Sequence, residues 1–325
     1  QQALEENTTG DRNIAIGTRA LDENTVSDNV AIGHEALRVD TTGENNIAVG
    51  GYALDANTTG SNNTAVGKSA LGNNTTAGQN TAIGREAMLA NTTGTRNVAL
   101  GYGALKTNQS SNNCTAIGWE AAKLANGATD TTAVGAYALH NLSTGDYNVA
   151  VGQAAAYNTT TGSYNVAVGL HALSANQTGI QNTAVGWHAL YQYTGSYNTA
   201  VGNQALEDCT TAAHNVAVGF DCAREITTGT YNTAVGSGAL DSATTAGSNC
   251  CFGGGAGNDI TDGTYNICIG YRSAGYSTVL TGGHKNIVIG SDAYTSSNGA
   301  NSQIVIATYQ SGGKGNSTGF INPNG

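Results

Sequence analysis

The chain has 325 residues, of which 46 are glycine and only 10% are charged. A formal charge of −10, with only 12 Lys and Arg, argues against a nucleic-acid partner, because such binding depends on basic side chains that neutralise phosphates. The sequence also contains no apolar run of roughly 18 residues, so it predicts no membrane insertion.

One motif repeats through nearly the whole chain and determines the predicted fold. A glycine closes a short apolar run in seventeen copies, from Gly17 to Gly290, and thirteen of the sixteen intervals between these glycines are 17 residues long. We number coil positions from this glycine, which is position 0. Position −1 is Val or Ile in fifteen copies, and position −2 is Ala in fourteen. This alternation is typical of a short strand, and its constant spacing predicts an all-β parallel β-solenoid of about seventeen 17-residue coils.

The rest of each coil follows in chain order. After two variable residues comes Ala-Leu, as in Ala53-Leu54, for which we expect a second short strand or an extended corner with the Leu inward. An Asn-Thr-Thr-Gly segment such as residues 57–60 then predicts a turn with left-handed backbone angles. Two packings stay open: the Val/Ile ladder fills the interior and the Ala ladder faces a partner chain, or the reverse.

Two regions are predicted along the chain. Residues 1–295 form the repeat array, and residues 296–325 form an irregular terminal coil with a Gly-rich tail. Stacked coils place equivalent residues over one another at about 4.8 Å, so we expect structural ladders whose Asn amides bond coil to coil. Representative members are Asn63, Asn80, Asn165, Asn182, Gly67, Gly84, Gly169 and Gly186.

An aromatic stripe is the main candidate for binding. Position −5 carries tyrosine in five later coils, and the variable corner after the glycine carries two tryptophans; these candidates are Tyr147, Tyr164, Tyr197, Tyr231, Tyr265, Trp119 and Trp187. One interpretation is a glycan or receptor platform, since exposed aromatic rings stack on sugars and anchor interfaces. The other is a purely structural ladder of stacked rings.

Catalysis, metal binding and cofactor binding are not expected. The carboxylates lie on corners several coils apart, whereas glycan-cleaving sites need two that face each other. His171 and His188 share a register but lack a third ligand. The six cysteines are expected to be small buried side chains. Cys251 and Cys268 share a register within disulfide range, although in-register side chains on parallel strands rarely point correctly.

The repeat resembles a known family. The NIAIG and NIAVG segments at residues 13–17 and 46–50 resemble the YadA-like head repeats of trimeric autotransporter adhesins. The NTAVGxxAL segment at residues 63–71, with the NTTG turns, resembles even more closely the shaft arrays of bacteriophage tail fibres. The resemblance covers about residues 7–295 and implies a left-handed β-roll, usually homotrimeric, that mediates receptor or host-surface attachment. The 17-residue coil is longer than that typical of adhesin heads, which favours the fibre variant.

The expected function is therefore that of a structural and attachment protein. We expect an elongated fibre shaft or adhesin head that is extracellular, on a cell surface or on a virion. Its expected partners are copies of itself and a cell-surface glycan or protein receptor. The alternative is an extracellular filament subunit that stacks end to end.

Overall fold

A computed structural model describes residues 2–275, 280–306 and 319–321, the last group by backbone only. These ranges contain nineteen three-residue strands and no helix. The chain divides into a first unit, residues 1–165, and a second unit, residues 166–325. The strands of the first unit are β1 Ile14–Ile16, β2 Val30–Ile32, β3 Ile47–Val49, β4 Thr64–Val66, β5 Thr81–Ile83, β6 Val98–Leu100, β7 Thr115–Ile117, β8 Thr132–Val134 and β9 Val149–Val151. Those of the second are β10 Val166–Val168, β11 Thr183–Val185, β12 Thr199–Val201, β13 Val216–Val218, β14 Thr233–Val235, β15 Cys250–Phe252, β16 Ile267–Ile269, β17 Ile287–Ile289, β18 Ile304–Ile306 and β19 Gly319–Ile321.

Within each unit, every strand pairs in parallel with the strand of the next coil, and equivalent residues lie opposite each other. In the first unit, for example, Ala48 pairs with Ala65, and Ala65 pairs with Ala82. The same register runs from β10 to β18 in the second unit, after which β19 pairs antiparallel to β18. The predicted all-β parallel solenoid is thus confirmed. Most of the predicted Gly-rich tail lies outside the described residues.

The interior of most coils is formed by the alanines of the strands and the leucines at position +4. Ala65 and Leu71 are fully buried, whereas Ile47 and Val98 on the same strands as buried alanines are 42% and 39% exposed. Of the two packings that the sequence left open, the structure therefore has the Ala ladder inside and the Val/Ile/Thr ladders outside. A coil this thin has room opposite a leucine for a methyl group but not for a branched side chain.

One coil shows how closely these two interior positions are matched in size. Where the inward strand residue is Cys251, position +4 is Gly257 instead of leucine. A Cβ atom added at Gly257 would lie 2.7 Å from the Cys251 Sγ atom. The larger inward residue is therefore accommodated by removing the side chain opposite it.

The expected second strand at Ala-Leu is wrong. This segment forms turns, and its leucine adopts left-handed backbone angles, with φ 51° at both Leu54 and Leu71. Position +2 is also left-handed, as at Tyr52 with φ 61°. With these angles, neighbouring backbone N–H groups point towards opposite coils. The Tyr52 N–H group donates a hydrogen bond to His34 O of the preceding coil, and the Leu54 N–H group donates one to Ala70 O of the next coil. The conformation costs about 1–2 kcal/mol per residue, which burial of the leucine side chain at about 1.5–3 kcal/mol can offset.

The Asn-Thr-Thr-Gly turn also differs in detail from the prediction. Neither Asn57 nor Gly60 has a positive φ; the left-handed residue is Asn62, with φ 61°, two positions after the turn glycine. Gly60 instead lacks a side chain because a Cβ atom there would lie 2.3 Å from Ala77 O of the next coil. The glycine at position 0, unlike Gly60, has a positive φ, which is 130° at Gly67. Residues with a side chain rarely adopt this angle.

Candidate functional site

The outward side chains of the strands form an uncharged, mainly apolar surface that we call the strand face. It comprises positions −3 and −1 of each coil and contains no charged residue in either unit. Many of its members are more than one third exposed, including Ile14, Ile16, Ile32, Ile47, Ile83, Val98, Leu100, Val149 and Val151 in the first unit and Val216, Phe252, Ile267, Ile269 and Ile306 in the second. The in-register pairing makes the strand face continuous from coil to coil within a unit.

The residues at position −5 form a second outward column, the −5 column, and each of them has left-handed backbone angles. In the second unit, the rings of Tyr197, His214 and Tyr231 stack in succession, with centroids 4.9 and 4.8 Å apart and planes within 2° of parallel. In the first unit, Tyr147 and Tyr164 stack at 5.0 Å. The rings therefore cover each other's faces and turn their edges to solvent.

This stacking bears on the two interpretations of the stripe. A sugar stacks on the open face of an aromatic ring, but the inner face of each stacked pair is covered by its neighbour. The geometry matches the structural ladder, and glycan binding stays a prediction. Tyr265 continues the column after Ser248 and is 61% exposed.

The corner tryptophans lie in separate aromatic clusters. Trp119 stacks on Tyr102 with ring centroids 4.4 Å apart. Trp187 stacks on His188 at 3.9 Å, and the His188 Nδ1 atom lies 2.8 Å from Glu207 Oε1. Both tryptophans stay substantially exposed, so these corners are accessible for binding.

Buried asparagines connect the coils in two columns. At position −4, the Asn46 Oδ1 atom accepts a hydrogen bond from the backbone N–H of Asn63, and Asn46 Nδ2 donates to Gly60 O. Sequence reasoning missed a second column at position +7, where Asn74 Nδ2 donates to Asn57 Oδ1 at 2.8 Å. The equal spacing of Asn57, Asn74 and Asn91 could have revealed it.

An aspartate interrupts the second asparagine column. Asp40 is fully buried at position +7 and accepts hydrogen bonds from Gly43 N–H and Asn57 Nδ2. Burial raises the pKa of Asp40 to about 7, against the lowering effect of those two hydrogen bonds. The carboxyl group thus titrates near neutral pH inside the first unit.

Charged side chains form ion pairs along the corners of the first unit. Glu86 lies between Arg85 and Lys106, at 3.0 and 2.7 Å, and the hydrogen bond from Lys106 lowers the pKa of Glu86. Arg38 similarly bonds Asp55 at 3.0 Å. Such partly exposed pairs stabilise a fold only modestly.

The arrangement of the cysteines concerns the predicted disulfide register, and that of the histidines concerns metal binding. All six cysteines are free, and Cys251 lies opposite Cys268 in the strand register. The hydrogen bond with Cys268 and burial raise the pKa of Cys251. The rings of His171 and His188 lie 5.7 Å apart. Across the ranges that the structure describes, no group of three or more His, Cys, Asp or Glu is arranged to hold a metal ion.

Comparisons of the chain with protein-family models, with curated proteins and with solved structures found no match. In the described part of the chain, no helix is long and apolar enough to cross a membrane.

Proposed function

We propose that this chain is a structural and attachment protein, part of a fibre shaft or adhesin head, whose copies assemble through the strand face. The observation that carries the proposal is the exposed apolar surface of the strands. In this proposal, the protein acts outside the cell or on a virion, and its role is mechanical and adhesive, not catalytic.

The size of the strand face supports self-assembly. Nine strands of the first unit contribute eighteen outward side chains, and none of them is charged. Many of them are more than one third exposed and lie side by side along the strands, whereas exposed apolar residues on a monomer are normally scattered singly. The second unit presents a similar face. A partner of the same shape and apolar character would cover these surfaces, and a second copy of the chain is such a partner.

The chemistry of the strand face also suits sheet-on-sheet packing. Its side chains are mainly Val, Ile and Thr, which are stiff at the first side-chain torsion and lose little conformational freedom on burial. Flat sheets with such faces pack about 10 Å apart. The resemblance to trimeric adhesin heads and tail-fibre shafts favours three copies in a left-handed roll.

Attachment is assigned to the corners and the aromatic stripe. Corner residues vary between coils while the strands and asparagine columns stay constant, and variable positions on a rigid scaffold commonly carry recognition. Trp119 and Trp187, with the exposed tyrosines, supply amphipathic contact surface for a glycan or a protein receptor.

End-to-end stacking into a filament is the less favoured alternative. The outer edge of β18 is already paired with β19 in an antiparallel register, Ile304 opposite Ile321. Another copy therefore cannot continue the parallel stack directly on β18 and would have to add to β19.

Sedimentation equilibrium of the wild type and two variants tests the proposal. The face variant carries Ile117→Lys and Val134→Lys in the strand face, and the control carries Gln153→Lys and Asn203→Lys at exposed corners. Position +1 already holds a lysine at Lys68, so the control changes charge equally at a site that tolerates it. We expect three chains for the wild type and the control and one chain for the face variant. A folded, single-chain wild type at micromolar concentration would overturn the proposal, as would a face variant that still forms the assembly.

A further inference from the structure

The −5 column of the second unit contains a gap in an otherwise stacked series of rings. Tyr197, His214 and Tyr231 occupy three successive coils, Ser248 occupies the next, and Tyr265 follows. Tyr231 and Tyr265, the two tyrosines that border the serine, are 62% and 61% exposed. We call the space above Ser248, between these two rings, the slot.

The backbone holds the slot residues in the same arrangement as the filled part of the column. The φ angles of Tyr231, Ser248 and Tyr265 are 60°, 58° and 59°. Each residue donates its backbone N–H to the preceding coil: Ser248 N–H bonds Thr230 O at 2.8 Å, and Tyr265 N–H bonds Gly247 O at 3.1 Å. Tyr231, Ser248 and Tyr265 therefore follow one another with the same backbone arrangement as the three stacked residues that end at Tyr231.

The filled part of the column shows what fits between two such rings. His214 places an imidazole between Tyr197 and Tyr231, with both flanking rings within 2° of parallel to it. Two coil steps separate Tyr231 from Tyr265, which is about 9.6 Å along the stack. Tyr197 and Tyr231 are separated by the same two coil steps, and the His214 ring lies between them.

The lower part of the slot is small and polar. Ser248 replaces a ring with a hydroxyl group, which makes no hydrogen bond to the described residues, and the preceding residue is Gly247. The Ser248 side chain is partly exposed, so solvent reaches the space between the two rings. A ligand in the slot would therefore lie between the two tyrosines and within reach of the serine hydroxyl group.

We propose that the slot binds one small planar aromatic ring, sandwiched between Tyr231 and Tyr265. A ring in the slot would lie about 4.8 Å from each tyrosine ring, close to the 4.9 and 4.8 Å that separate His214 from Tyr197 and Tyr231, so the two tyrosines admit a flat ring in the orientation that His214 adopts two coils earlier. The slot lies on a single chain and goes beyond the self-assembly proposed above, on which it does not depend.

The test uses indole as the probe, with the full chain in its native assembly. Binding is followed by the ring resonances of Tyr231 and Tyr265 in tyrosine-labelled protein during an NMR titration. Ser248→Tyr fills the slot with the residue that neighbouring coils carry in the same backbone conformation. We expect indole to shift both resonances in the wild type and its affinity at this site to fall at least tenfold in Ser248→Tyr.

A second variant creates a matching slot. His214→Ser leaves Tyr197 and Tyr231 on either side of a serine, and the left-handed angles of Ser248 show that serine is accepted at this position. We expect His214→Ser to bind a second equivalent of indole, which shifts the Tyr197 resonance. Circular dichroism of each variant confirms that the coil is retained.

Three results would overturn the proposal. One is indole binding that Ser248→Tyr leaves unchanged. Another is a wild type whose Tyr231 and Tyr265 resonances do not respond to indole. The third is methyl glucoside binding at this site as tightly as indole, because the slot would then not distinguish a flat aromatic ring from a sugar.

Discussion

The side-chain oxygen of Asn46 accepts a hydrogen bond of 3.0 Å from the backbone N–H of Asn63, the equivalent residue of the next coil. Both asparagines are fully buried, so water cannot replace this bond. Its repetition along each unit satisfies a backbone donor that the three-residue strands leave unpaired.

Replacing Asn46 by alanine is therefore expected to destabilise the first unit by about 1–3 kcal/mol, the cost of leaving a buried donor unsatisfied. Urea unfolding measures the loss, and hydrogen exchange should show it at Asn63. Asn73→Ala, at an exposed position of the same unit, is the control and should change stability by less than about 0.5 kcal/mol. Equal effects of the two substitutions would contradict the role of the column.

Because Asp40 is buried, we expect the free energy of unfolding of the first unit to depend on pH. Because the folded pKa of Asp40 is raised to about 7, the folded state binds the proton more tightly than the unfolded chain does. The contribution of this group is therefore complete below about pH 4, falls as pH rises towards 7 and is constant above that. Asp40→Asn restores the asparagine of neighbouring coils, so we expect it to stabilise the protein by roughly 2–4 kcal/mol at pH 8 and hardly at all at pH 4.

Asp130→Asn is the control for that experiment, because it removes the same charge from an exposed position. Its effect on the melting temperature should be small, because the side chain is exposed. An Asp40→Asn protein whose stability changes with pH as strongly as that of the wild type would show that Asp40 is not the titrating group.

The glycine at position 0 should be far less replaceable than a glycine two residues later. At Gly84, φ is 136° and an added Cβ atom would lie 2.5 Å from Gly101 O, so Gly84→Ala should cost roughly 3 kcal/mol or more. Gly103 has φ 62°, an angle that Ser69 adopts at the same coil position. Gly103→Ser should therefore be nearly neutral. Thermal unfolding compares the two, and similar losses would contradict the assigned conformations.

Size matching in the coil interior predicts a coupling between Cys251 and Gly257. Gly257→Ala alone places a methyl group against the Cys251 sulfur and should cost about 1–3 kcal/mol through overpacking. Adding Cys251→Ala gives the combination of two alanines found at Ala116 and Ala122 and should recover part of the loss, because only the close contact with the Ile260 Cδ1 atom at 3.1 Å then remains. A double mutant cycle in urea measures the coupling, and strictly additive effects would show that the two side chains do not compete for space.

The sequence predicted the stack of coils because the glycine spacing and the strand alternation are both periodic signals. It could not decide which strand face is inside, since alanine and valine are both apolar; the deciding factor is the room left opposite buried leucines such as Leu71. The left-handed leucines were missed because an isolated leucine disfavours those angles. Hydrogen bonds to both neighbouring coils stabilise them, and these exist only in the assembled stack.

The candidate site was predicted in part. Its aromatic positions, including Tyr231 and Tyr265, follow directly from the repeat alignment. The stacking of rings with His214 could not be predicted, because it depends on the left-handed backbone at position −5, which carries residues as different as Arg12 and Asn62 in earlier coils.

Electron cryomicroscopy of the assembled protein would locate the strand face relative to other copies of the chain. We expect three chains whose Val, Ile and Thr columns face one another around a common axis, with the aromatic corners outside. A reconstruction of separate single chains, with these columns facing solvent, would contradict it.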